Sequence, residues 1–137
     1  MMKHRLAFSL ATLACLTMAA TSAAAADKTV GVWRNPKNSV HVRSHPCGAS
    51  MCGTVVWAND KAKADAARGG TDNLVGLQLF RSFTRDRHGN WRGKVFVPDI
   101  NKTFSGTITV IDANTITGSG CLIGRVGCKS QTWTRIE

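Results

Sequence analysis

The chain has 137 residues, with 18 Lys and Arg against 8 Asp and Glu and a formal net charge of +10. That length suits one domain. No apolar stretch reaches the about 20 residues of a membrane-spanning helix, which argues against an integral helical membrane protein.

Residues 1–26 contain no acid. They open with Lys3, His4 and Arg5, continue through an apolar run from Leu6 to about Ala20, and end in small residues, with Ala24 and Ala26 ahead of Asp27. This is the three-part grammar of a secretory signal peptide, so the expected location is the periplasm or outside the cell. Cys15 offers a competing lipid-attachment site, but Thr12 stands where Leu is usual three residues before such a cysteine. Cleavage after Ala26 is the preferred reading. It leaves residues 27–137 as a single domain of 111 residues, with 16 Lys and Arg, all 8 acids, four Cys and all four Trp.

Short β-branched and aromatic runs separated by Gly, Asn, Asp and Pro predict eight strands in that domain. They are Thr29–Arg34, Ser39–Arg43, Gly53–Ala58, Leu77–Thr84, Asn90–Val97, Thr103–Ile111, Thr115–Leu122 and Ser130–Ile136. Alternation is cleanest in Thr103–Ile111, where Phe104, Gly106, Ile108 and Val110 share one face and Thr103, Ser105, Thr107 and Thr109 the other. Leu77–Thr84 breaks the pattern: either a bulge shifts its register or Arg81 faces inward. The long connection from Asn59 to Gly76 predicts one helix, Lys61–Arg68, capped by Asn59 or Asp60 and stopped at Gly69. The other connections are short enough for hairpins. An all-β antiparallel meander of eight strands is expected to close into a barrel, since closure removes the exposed edges.

Gly31-Val32-Trp33 on the first strand and Trp133-Thr134-Arg135 on the last resemble the lipocalin and calycin pattern. That resemblance implies that Trp33 plugs one barrel end with Arg135 packed across it, because a guanidinium can stack on the ring while bonding loop carbonyls. A wider resemblance runs through Cys47-Gly48, Cys52-Gly53, Val55-Val56-Trp57, Asp72-Asn73, Gly89-Asn90-Trp91, Gly93-Lys94-Val95-Phe96, Pro98-Asp99, Phe104 and Gly120-Cys121. In this order the chain resembles a bacterial family of small exported proteins, domain of unknown function 2147. The resemblance implies a lipocalin-like barrel without an assigned activity. Phe96 and Phe104 stand where that family usually has Tyr, Asn101 stands where it has Gly, and the segment around Asp72 is shortened.

Four cysteines in an exported chain predict two disulfides. Of three connectivities, the local pairs Cys47–Cys52 and Cys121–Cys128 are the first choice. His41, His45, Cys47 and Cys52 lie close enough in sequence to suggest zinc. In an extended strand, however, the two histidines stand about 13 Å apart, and an oxidising compartment captures the thiols. No metal and no cofactor are expected. Nor is an enzyme, because no nucleophile–base set, metalloprotease motif or phosphate loop can be read out.

The functional expectation is a non-catalytic binding protein holding a small apolar or amphipathic ligand in the barrel. Trp57, Phe80, Phe83, Trp91 and Phe104 are the expected lining, and Arg81 the expected inward counter-ion. The alternative is a cationic envelope protein with a filled barrel. Arg85, Arg87, Arg92 and Lys94 on one predicted hairpin would then bind anionic envelope components such as lipopolysaccharide or phospholipid headgroups. Nucleic acid is the less favoured partner.

Overall fold

Burying eight strands that each carry one apolar face closes the sheet on itself. The computed structural model describes residues 27–123 and 126–137. Its elements are β1 (Gly31–Arg34), β2 (Val40–Cys47), β3 (Ser50–Ala58), α1 (Asp60–Arg68), β4 (Gln78–Arg85), β5 (Trp91–Val97), a 3₁₀ turn at Pro98–Ile100, β6 (Lys102–Asp112), β7 (Thr115–Ile123) and β8 (Val126–Arg135). All strand pairs are antiparallel and follow chain order, and β1 pairs with β8 to complete the barrel. This is the eight-stranded antiparallel barrel with one helix that the alternation predicts.

β2, β3 and β8 run further than the sequence suggests, β3 starting at Ser50 rather than Gly53. β2 continues through His45 and Pro46 to Cys47, because the turn at Gly48 and Ala49 is tight and Gly48 takes a left-handed φ of +64°. β8 starts at Val126 rather than Ser130, because Cys121 and Cys128 face each other in the β7–β8 ladder. β1 is shorter than expected. Thr29 lies outside it, buried, and its carbonyl accepts the indole N–H of Trp33 at 2.9 Å.

Two bulges decide which side chains enter the barrel. Between Arg81 and Thr84 the β4–β5 register shifts, with Ser82 at φ +53°, so Phe80 and Phe83 both turn inward. Between His41 and Val42 the β2–β3 register also slips, so that Trp57 pairs with His41 while Val55 pairs with Val42. This leaves Val55 buried and Val56 and Trp57 exposed.

Strand alternation sorts the connections. Segments 35–39, 59–77 and 98–101 share one barrel end, whereas 27–30, 48–49, 86–90 and 113–114 share the other. At the first end, helix α1 is capped by the Asn59 side chain, which accepts from the Ala62 N–H at 2.8 Å. The helix buries Ala66 in the same core as Leu74 and Leu79. Its C-cap Gly69 lies so close to the Pro98 carbonyl that a Cβ there would collide with it. Among the described residues no helix is long and apolar enough to cross a membrane.

Candidate functional site

The two barrel ends are built differently, and the difference creates the site. At the end bearing residues 27–30, Trp33 is 1 % exposed, and its indole N–H also reaches Ser44 Oγ at 3.2 Å. The Arg135 guanidinium lies 4.3 Å above the Trp33 ring. Its Nε donates to the Ala113 carbonyl at 2.7 Å, one Nη to the Val30 carbonyl at 2.7 Å, and the other to the carbonyl of Lys28. Gly31 leaves the space that this guanidinium occupies, since a Cβ there would collide with Arg135 Nη1. The Gly-x-Trp motif and the final-strand Arg thus form a single plug.

Above the plug the centre is packed. Phe83 is fully buried, and its ring sits against Gly93, where a Cβ would lie 2.6 Å from it. Phe80 occupies the corresponding space over Gly53. Phe80 then contacts Phe83 edge-on at 5.9 Å and Trp133 edge-on at 5.6 Å between ring centroids.

Beyond Phe80 and Trp133 the barrel is open. A cavity of about 430 Å³ extends towards the end bearing residues 98–101. Phe80, Ile108 and Trp133 line its inner part, and Val97, Ile100 and Phe104 line its outer part. Gly118 and Gly120 form one wall. A Cβ at Gly118 would meet nothing nearer than the Trp133 indole at 3.8 Å, and one at Gly120 nothing nearer than a carbonyl at 3.6 Å. Its polar lining comes from Lys129 and Gln131 of β8, with Thr107 and Ser119.

Of the lining expected from the sequence, Phe80 and Phe104 border the cavity. The other four residues need correction. Phe83 lies in the packed centre, out of reach of a ligand. Trp91 is half-buried on β5, beneath the Arg85 guanidinium at 4.9 Å, and does not border the cavity. Trp57 is on the outer face, stacked on His41 at 4.4 Å, because the bulge at Val56 rotates it outward. Arg81 also faces outward, 4.8 Å above the Phe96 ring, with its Nε donating to the Gln78 carbonyl at 3.0 Å. It cannot serve as an interior counter-ion.

Sequence reasoning missed Val97, Ile100, Trp133, Lys129 and Gln131. Lys129 fell in a predicted connection. The signal that could have found it is the cysteine pair: if Cys121 and Cys128 face each other outside, then Lys129, Gln131 and Trp133 alternate inward.

The cysteine sulfurs stand at disulfide distance in both local pairs, Cys47 with Cys52 and Cys121 with Cys128, one pair at each end of the barrel. His45 Nε2 contacts Thr54 Oγ1 at 3.0 Å and His41 Nε2 contacts Asn38 Oδ1 at 2.7 Å. Among the described residues no group of three or more His, Cys, Asp or Glu could hold a metal ion.

The basic hairpin is exposed but partly neutralised. Arg92 pairs with Asp86 at 2.8 Å, Arg85 with Asp27 at 3.1 Å, and Lys94 donates to Ser105 Oγ at 3.0 Å. The Arg92 hydrogen bond and the backbone N–H groups of Asn90 and His88 hold the Asp86 carboxyl below its usual range. Only Arg87 of the four is left without a hydrogen-bonding or charged partner among the described residues.

Residues 31–135 match the model of a family described as "Uncharacterized protein conserved in bacteria (DUF2147)". A solved structure, that of protein HP1028 from Helicobacter pylori, described as belonging to the lipocalin family, superposes with a TM-score of 0.62. The two are 12 % identical, and the match covers 80 % of this chain and 83 % of that one. At that identity the likeness shows the fold alone: a lipocalin-like barrel. No curated protein matches the chain.

Proposed function

The chain belongs to the bacterial family domain of unknown function 2147, and on that footing we propose that it is an exported, non-catalytic carrier of one small apolar or amphipathic molecule. One observation carries the reading. The outer half of the barrel holds a cavity of about 430 Å³ walled by apolar side chains and by glycines that leave their space unfilled. That volume lies within the range of small-molecule sites, which are concave, mostly apolar and equipped with a few polar groups. Burial of an apolar ligand there is favourable in proportion to the apolar area removed from water. Lipocalin-like barrels of eight strands have room for either their own side chains or one small ligand, and here the two uses divide the barrel between them. The acid-free leader and the two cysteine pairs support export.

The cationic-surface alternative has less behind it. Two of its four cations are paired with Asp27 and Asp86, which leaves less free positive charge for a polyanion.

The test is titration of the 27–137 protein with a fluorescent fatty-acid probe. Micromolar binding with quenching of tryptophan emission is expected, since Trp133 lines the cavity. Gly118→Phe should abolish binding while the far-ultraviolet circular dichroism stays unchanged. An absence of probe binding, or equal binding by a folded Gly118→Phe protein, overturns the carrier reading.

A further inference from the structure

Thr107 of β6 and Ser119 of β7 also line the cavity, but its amide and its ammonium sit on one strand in a fixed sequence. Lys129, Gln131 and Trp133 alternate inward along β8, and all three line the space. Trp133 is 8 % exposed, whereas Lys129 is exposed to solvent. β8 therefore grades from an indole floor, through an amide, to an ammonium at the mouth. Lys129 makes no ion pair or hydrogen bond among the described residues. Among the described residues no acid borders the cavity. Asp65 and Asp99 line a second, smaller cavity of about 250 Å³ beneath α1, which shares Gln131 with this one.

We infer that the barrel selects a single-chain anionic amphiphile, with its tail on Trp133, Phe80 and Ile108 and its carboxylate or phosphate head on Lys129. The inference rests on the carrier reading and adds to it the charge and length of the ligand. An unpaired ammonium at the edge of an apolar cavity attracts an anion and repels a cation. Because it keeps access to water, the interaction is a modest one. Gln131 supplies an amide N–H to a second head oxygen. The distance along β8 from Lys129 to Trp133 limits the tail: four residues of strand span about 13 Å. Below Trp133 the Phe80–Phe83 contact closes the barrel. An extended decanoyl chain fits that depth, whereas a palmitoyl chain exceeds it and must leave carbons in water.

Calorimetric titration with decanoate, decyl phosphate, decanol, decyltrimethylammonium and palmitate, on wild-type protein and on Lys129→Gln, tests this. Wild type should bind decanoate about fivefold more tightly than decanol. It should bind the cationic amphiphile more weakly than decanol, and palmitate no more tightly than decanoate. In Lys129→Gln the decanoate advantage should disappear while decanol affinity and the thermal midpoint stay unchanged. Decyl phosphate matching or exceeding decanoate identifies the phosphate as an equally good head. If decanol and decanoate bind wild type equally, the anionic selection is wrong and the carrier reading stands. If no amphiphile binds, both fall.

Discussion

The two halves of the barrel use the same ingredients, glycines facing aromatic rings, to opposite ends. In the half nearer the plug, Gly53 and Gly93 are filled by Phe80 and Phe83 of β4, the strand paired with both. In the other half, Gly118 and Gly120 face the space beside Trp133 and Phe104, and nothing fills them. A glycine in a strand therefore has no single meaning. It creates a notch, and whether the notch becomes packing or cavity depends on whether a neighbouring ring fills it. The bulge at Ser82 makes that decision here, because it turns both Phe80 and Phe83 inward.

Substitutions should separate the halves by size of effect. Phe83→Ala should cost about 3–5 kcal/mol, the range for buried aromatics, in urea denaturation. Phe104→Ala, in the open half, should cost about 1 kcal/mol, since its ring already faces a void. Equal losses would mean that the halves are packed alike. Trp33→Ala should cost about 3 kcal/mol, and Arg135→Ala less. Because the ring and guanidinium touch, the double mutant should fall short of the sum by more than about 0.5 kcal/mol; additive losses would show that the plug is not one unit.

Smaller changes sharpen the contrast. Gly93→Ala places a methyl 2.6 Å from the Phe83 ring, and overpacking of this kind costs about 1–3 kcal/mol. Gly118→Ala meets only the Trp133 indole, at an ordinary contact distance of 3.8 Å, and should stay within about 0.5 kcal/mol of wild type; thermal melts of the pair suffice to compare them. The smallest effect concerns Asp27. Burial pushes its carboxyl up, but hydrogen bonds from Thr29 and the Arg85 guanidinium outweigh that and hold it below its usual value. A depressed carboxyl contributes stability that is present above its unfolded pKa and is lost as pH falls through the folded one. Wild type should therefore lose up to about 1 kcal/mol between about pH 4 and lower values that Asp27→Asn does not lose. Parallel pH profiles for the two proteins would remove Asp27 from the plug end's energetics.

How far the site could be read from the sequence follows the same divide. Period-two alternation in Thr103–Ile111, and the Gly31–Trp33 and Arg135 motifs, were legible because a regular strand and a steric notch each write themselves locally. The cavity lining was legible only in part, because where a side chain ends up depends on bulges and packing that no single residue writes into the sequence. The slip at Val56 sent Trp57 outside, and of the two readings the broken pattern in Leu77–Thr84 allows, the structure has the bulge, which leaves Arg81 outside. Nothing in the alternation around Val56 announces its bulge. Lys129 was hidden for a different reason: strand length in the β7–β8 hairpin is set by facing cysteines rather than by β-branched residues.

The pairing of β1 with β8 also orders events in time. The short β1 has only β2 and β8 as neighbours, and the plug over Trp33 depends on Arg135 in the ring's final strand. A nascent chain with seven of the eight strands translated therefore still has an open seam and an uncovered Trp33. The barrel cannot lock until synthesis passes Arg135, so a chain threaded unfolded through a narrow channel would stay threadable for almost the whole of its translation.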